Sequence, residues 1–587
     1  MADFSKLVIT TNGQSLIAKL IAGTVTDVEF TTVAASSATY DEDDLEALEE
    51  LSDIEQTVSV SKVTVSNDTA VKVEAAFTNS DLTTGYYMRT IGLYANDPDE
   101  GEILYAATVE STGSCYIPAY NGVSTTGVYL KLITTVGNSD NVNVELDPAA
   151  VATIGDIEDL QEQISELQAY IGYPDSDDIY GVEVDFTNST FTRLAAAVGL
   201  EGGEDFDDIS MFGGRKRCNL ADDGTVNAYY GDDDFAVDGS NGQVMVEQPK
   251  FYYKVVPVTL DKHSNGSQVI RKARYYVSAT QHDGFSLHPA FVERGNENDV
   301  IYLAAFEGCL YDTSASAYIT DDSQVMDTDA DLLSSIAYAQ PASGATSSQL
   351  LYRSAARALA QNRGAGWEQW YAATVAASQM LMLIEYATFN MQDAIGDGIV
   401  DKSDGSGNES ENTGATVSLG NASGTVTNSN GYSAVSYRGE ENFWGNIWSW
   451  VDGMNIENPS DWSSSVGEGE TGNLYIADYD FADDSSDLPY RDSGIHPAWA
   501  NSDYVSAFGY SEDYDWLFIP GEALGDSSAP VGDGFWNYSS GWRVARLGGR
   551  WYDGSLCGGF CWNLNLSSAI RHRTVGGRLV YVPSKAS

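Results

Sequence analysis

The segment from Trp542 to Tyr581, WRVARLGGRWYDGSLCGGFCWNLNLSSAIRHRTVGGRLVY, constrains this chain more than any other. Glycines, tryptophans and alternating apolar residues form a frame in it. Two glycine pairs, Gly548-Gly549 and Gly576-Gly577, bracket the segment and open the runs GGRW (ending at Trp551) and GGRL (containing Arg578). Glycine at such places permits positive φ or a close backbone approach. Alternation in Leu579-Val580-Tyr581-Val582 predicts a closing strand, so both ends of the segment are expected to be pinned. Between the frame positions, Arg550, Tyr552, Asp553, Leu556, Leu566, Ile570, His572, Arg573 and Thr574 follow neither a helical nor a strand period. Mixed chemistry hung on a fixed scaffold is the pattern of a binding surface. Leu556, Leu566 and Ile570 would serve there as apolar contacts. Leu566 fits the core of a short strand equally well, and Asn563 and Asn565 fit either frame or surface.

A chain of 587 residues is expected to hold several domains. Its 35 tyrosines, 12 tryptophans and 56 glycines suit a β-rich, loop-rich binding protein. A net charge of −56 argues against nucleic acid as a partner, because phosphates would be repelled. The charge is uneven. From Gly541 onward Arg543, Arg546, Arg550, Arg571, Arg573, Arg578 and Lys585 face only Asp553. Arg543, Arg546 and Arg578 are expected to pair with acidic neighbours from elsewhere in the fold. Arg550, Arg571 and Arg573 are the candidates for a cationic face toward an anionic surface polymer. Five scattered cysteines are too few for a disulfide framework, although Cys557 and Cys561 are close enough to pair. The start, MADFSKLVITTNG, has no signal-peptide pattern, and no apolar run reaches membrane-spanning length.

Along residues 1 to about 150, short alternating runs separated by turn signals predict a small β-rich unit with a helix near Gln14–Ala22. Asp41–Leu51 reads as an acidic helix. The run GYYMRTIGLYANDPDEGEILYA, with Arg89, Gly92 and Tyr94, resembles the N-terminal domain of phage tail-collar and tail-fibre proteins. That resemblance implies attachment to tail baseplate proteins, assembly in the host cytoplasm and a place in the virion tail. Arg89 is expected to be a buried or half-buried arginine tied to a carboxylate. Next, Ile157, Leu160, Ile164, Leu167 and Ile171 are spaced 3, 4, 3 and 4, which places them on one helical seam. The seam predicts a short coiled coil over 151–175. Ile and Leu at its alternating positions favour two strands on intrinsic grounds, whereas resemblance to tail fibres implies a homotrimer.

Residues 176–587 read as one large domain. Gln349–Gln361 and Trp367–Phe389 are its long helices, the second with an apolar face. The segment YRGEENFWGNIWSWVDGMN (Tyr437–Asn455) carries Trp444, Trp448 and Trp450, a dense aromatic cluster expected to be core. This segment, the HPA triplets at His288 and His496, and the two glycine pairs resemble C-type-lectin-fold domains. Those are the domains of proteins diversified by retroelements, related in fold to formylglycine-generating enzymes. The resemblance implies a variable region over 537–581. Arg550, Tyr552, Asp553, Leu556, Leu566, Ile570, His572, Arg573 and Thr574 would be its hypervariable positions. Trp444, Trp448, Gly548, Gly549, Trp551, Gly576, Gly577 and Arg578 would be its scaffold.

The expected fold is therefore α+β and multidomain: a tail-attachment domain (1–150), a coiled-coil linker (151–175) and a C-type lectin fold (176–587). The expected function is recognition of a bacterial cell-surface receptor, protein or glycan, without enzymatic activity, cofactor or membrane insertion. A formylglycine-type oxidase is the alternative. Cys557 and Cys561, however, lie six and ten residues after Trp551, farther out than that family's cysteine pair. A purely structural collar protein is the other alternative. Asp232–Asp234, Asp478 and Asp480 offer oxygen ligands for calcium, but neither group forms an EF-hand loop.

Overall fold

The computed structural model describes residues 3–25, 27–67, 70–112, 115–120, 127–135, 144–147, 176–263, 266–323, 325–346, 349–462 and 472–583. The chain forms two compact units, Met1–Ile171 and Gly172–Ser587.

In the first unit, antiparallel strands build two main sheets. One runs Asp3–Phe4, Gly101–Thr112, Thr90–Asp97, Glu29–Ser36, Ile54–Ser59. The other runs Val144–Asp147, Gly127–Thr135, Ala70–Thr78, Lys62–Asn67. A single core that includes Val33, Ile91, Leu93, Val73, Phe77 and Leu130 draws on both. Helix α1, Thr11–Ile21, is capped by Thr10, whose hydroxyl accepts from Gly13 N at 3.1 Å. Lys19 in its last turn pairs with Asp97 at 2.8 Å. The expected acidic helix over Asp41–Leu51 is only a 3₁₀ turn, Glu42–Ala47. Crowded aspartates and glutamates there repel one another, and only Leu45 is buried to hold the turn. Arg89 pairs with Glu110 at 3.6 Å, but it is exposed rather than buried.

The second unit is also dominated by sheets. The largest has eight strands, with Trp448–Asn458 at its centre between Asn473–Ile476 and Gly541–Leu547. Trp562–Leu566, Gly534–Asn537 and Ala500–Tyr504 continue it outward. In a six-stranded sheet, Leu579–Tyr581 pairs with both Val300–Ala304 and Trp367–Gln369. Helix α2 spans Arg353–Gln361 and helix α3 spans Ala372–Tyr386. Every residue of α3 from Ala372 to Glu385 is buried, so it is a central core helix rather than an amphipathic one.

The α+β expectation is thus corrected. The described fold is mostly β, its longest helix has 15 residues, and it contains no coiled coil among the described residues. The seam residues Ile157, Leu160, Ile164, Leu167 and Ile171 lie outside the described residues.

Candidate functional site

The site is built on the segment Tyr437–Asn455, in which nearly every polar side chain is buried and partnered. Glu440 pairs with Arg215 and accepts from Ser378 at 2.7 Å. Glu441 accepts from Gly414 N at 2.7 Å, and from Thr416 N and Oγ1 at 2.6 and 2.7 Å. Arg438 pairs with Glu385 at 2.7 Å. Asn442 and Asn446 have φ of 48° and 57°, a region asparagine tolerates better than most residues, and both donate to Glu307. Buried charges matched this closely fix one backbone path. Trp444, Trp448 and Trp450 are buried, as expected of core. Burial pushes the Glu307 carboxyl up to about 7, against the opposing pull of Arg578.

The final segment is pinned to this base. Gly445 N donates to Gly548 O, and Gly548 N donates to Cys561 O, each at 3.0 Å. Trp551 N donates to Asn446 O at 3.0 Å. At the far end Trp448 N donates to Thr574 O at 3.1 Å, and Val575–Gly576 runs parallel to Trp448–Ser449. Gly548 and Gly549 have φ of 102° and 89°. The scaffold residues Trp551, Gly576, Gly577 and Arg578 are all buried. Arg578 donates to the carbonyls of Glu441 and Asn442 and lies 4.8 Å from the Trp370 ring.

Between these anchors Arg550, Tyr552, Leu556, Leu566 and Arg573 are half-buried, Ile570 and His572 are exposed, and the Asp553 side chain, 6% exposed, is turned inward. Thr574 departs from the expectation. It is fully buried, its carbonyl holds Trp448, and it belongs with the frame. Arg550 pairs with Asp553 at 3.0 Å, and its guanidinium carbon lies 4.0 Å from the centre of the Tyr552 ring. Arg573 reaches Asp404 at 2.6 Å and Gly407 O at 2.7 Å. His572 Nδ1 lies 2.7 Å from Thr574 Oγ1. Burial, then Arg546, Arg573 and Arg550, hold its imidazole below the ordinary value, so it is neutral at neutral pH. Leu566 is half-buried in the strand Trp562–Leu566 and packs with Trp536 against the cluster that holds Trp448 and Val544.

The arginine expectations are overturned at four of six positions; Arg571, cast for the cationic face, is exposed and makes no ion pair among the described residues. Arg550 and Arg573, cast as a free cationic face, are each paired with a carboxylate. Arg543 and Arg546, cast as paired, have no carboxylate within 4 Å among the described residues; Arg543 donates instead to Trp542 O at 2.5 Å. Arg578 does pair, with Glu307 at 4.0 Å. Sequence reasoning also missed Trp536, which stands half-buried beside the segment, and did not single out Tyr538, exposed within the expected variable region 537–581.

Cys557 and Cys561 are free and buried, and burial pushes both thiols well above their ordinary range. His288 is buried among Phe251, Tyr253 and Trp516, and burial drives its imidazole down to about 3. His496 Nδ1 lies 3.2 Å from Gly472 O. Asp480 is tied to Arg294. No group of three or more His, Cys, Asp or Glu side chains is placed to hold a metal ion among the described residues.

Residues 1–155 match the N-terminal family of the phage tail-collar fibre protein. This supports a tail-fibre protein and places the chain in the virion tail. No curated protein matches the chain. No helix among the described residues is long and apolar enough to cross a membrane.

Proposed function

We propose that this tail-fibre protein is a receptor-binding protein whose final segment, a C-type-lectin-fold variable region, recognises a bacterial surface receptor. One observation carries the reading. The unpatterned side chains other than Asp553 and Thr574 reach solvent, while the glycines and tryptophans between them are mostly buried and hydrogen-bonded to a rigid base. Side chains can change on such a face without disturbing what holds it. The first unit attaches the fibre to the baseplate, and a homotrimer presents several faces at once. Weak single contacts then sum to firm adhesion.

Sequencing this locus across many particles of one lineage tests the reading. Substitutions concentrated at Arg550, Tyr552, Asp553, Leu556, Leu566, Ile570, His572 and Arg573, with the glycine frame constant, are expected. Variation spread evenly over the segment, or none in it, would remove the claim of diversification.

A further inference from the structure

Arg546 sits on the strand Gly541–Leu547 beneath the solvent-reaching side chains, and only 8% of it is exposed. Among the described residues its guanidinium makes no ion pair, and its buried Nε has no hydrogen-bond partner. Its close aromatic neighbour is Trp448, whose ring centre lies 4.6 Å from the guanidinium carbon. Trp448 in turn packs edge-on against Trp536, with ring centres 5.6 Å apart.

The other buried arginines of this unit behave differently. Arg215 pairs with Glu440, Arg353 with Asp483, Arg438 with Glu385 and Arg578 with Glu307. Arg217, which has no carboxylate, spends its donors on Gly439 O, Thr416 O and Thr416 Oγ1. Arg215 Nε and Arg578 Nε and Nη1 are also buried without a hydrogen-bond partner, but each of those guanidiniums keeps a carboxylate within 4.0 Å, which Arg546 lacks among the described residues. Burying a cation without such a counter-ion is costly. Burial and the nearby Arg550 push the Arg546 guanidinium down to about 9, which still leaves it charged at neutral pH.

We propose that Arg546 is the floor of an anion-binding subsite in the receptor-binding face, and that it takes the carboxylate of an acidic saccharide. This rests on the receptor-binding reading above. The planar guanidinium fork matches a carboxylate with two parallel hydrogen bonds. Charge selects the class of anion. Arg550 and Arg573 are already compensated by Asp553 and Asp404, and Asp553 lies within electrostatic reach of Arg546. One buried cation with no ion pair, its charge offset only by Asp553 at longer range, suits a group with a single charge better than a doubly charged phosphate. Ring chemistry selects the carrier. Half-buried Trp536 packs on Trp448 beside this cation, and Tyr552 lies within its electrostatic reach, so aromatic rings stand near it against which the C–H face of a pyranose can lie.

The test uses the full-length chain and its variants Arg546→Gln and Arg546→Lys. Binding is measured by calorimetry to galacturonate, glucuronate and sialate oligosaccharides, each beside its carboxyl-reduced counterpart, and to inorganic phosphate. Wild-type protein is expected to prefer at least one acidic oligosaccharide over its reduced form by tenfold or more. Arg546→Gln should abolish that preference while leaving binding of the reduced form within twofold, and Arg546→Lys should restore it in part. Equal binding of acidic and reduced forms, preference for phosphate alone, or a preference that survives Arg546→Gln overturns the subsite. Phage adsorption separates this failure from failure of the receptor-binding reading. Adsorption lost in Tyr552→Ala but intact in Arg546→Gln removes the subsite alone. Adsorption intact in both removes the receptor-binding reading as well.

Discussion

Gly549 and Cys557 pack so tightly that a Cβ placed on the glycine would overlap the cysteine sulfur. Gly549 also has φ of 89°, where a side chain is strained whatever the space. Gly549→Ala must therefore push the turn away from Cys557 and strain its own backbone. The expected cost is about 2–4 kcal/mol. All 12 tryptophans lie between Trp367 and Trp562, so intrinsic fluorescence in a denaturant titration reports on the C-terminal unit alone. An unchanged midpoint would mean that the glycine pair is not the frame it is taken for.

The face itself should be energetically quiet. Tyr552 is half-buried and Ile570 is exposed, with neither inserted into the central core. Tyr552→Ala and Ile570→Ser are expected to shift stability by no more than about 1 kcal/mol. Phage carrying either change should lose adsorption at least tenfold on the strain used to propagate them. Normal adsorption with both changes together would favour a structural collar protein.

Much of the frame was legible because its signals are local. A glycine pair, an alternating closing strand and a tryptophan-rich segment each report on the backbone within a few residues of themselves. What escaped depends on distant partners. Ser378, Gln379 and Glu385 interrupt the apolar run of helix α3 in the sequence. In the fold they are buried, and each finds a distant partner: Glu440 for Ser378, Gly559 O for the Gln379 amide nitrogen and Arg438 for Glu385. The same helix was expected to begin at Trp367, but Trp367–Gln369 leaves as a strand because Leu579–Tyr581 offers it an edge. The Arg573 assignment failed for the same reason: Asp404 is 169 residues away, and no local pattern announces that pairing. Arg546 is the hardest case, because its significance lies in partners it does not have.

The buried thiols separate adhesion from oxidase chemistry. Cys557 donates to Arg550 O at 3.4 Å, a bond that serine can replace, whereas Cys561 lies in an apolar cluster with Trp448 and Val544. Cys557→Ser should cost little, and Cys561→Ser about 1–3 kcal/mol for burying a hydroxyl. Adsorption at a temperature where both variants stay folded is expected to match wild type. Its loss in folded protein would revive a reactive-cysteine role.

Glu307 gives the C-terminal unit a pH signature with a definite sign. The carboxyl is fully buried and is the shared acceptor of Asn442 and Asn446, under the segment that carries the face. Burial raises it from 4.5 to about 7 in the folded chain, so the folded state holds this proton more tightly than the unfolded one. The stability it contributes is complete below about pH 4.5 and is lost as pH rises through about 7. A difference of that size corresponds to about 3 kcal/mol. Glu307→Gln keeps an acceptor oxygen for the asparagines and removes the titration. Melting temperatures followed by tryptophan fluorescence should fall between pH 5 and pH 8 in wild type, and fall less steeply in Glu307→Gln. The comparison between the two chains cancels the repulsion among the many surface carboxylates, which is common to both. Parallel slopes would show that Glu307 is already ionised in the folded protein, held so by Arg578.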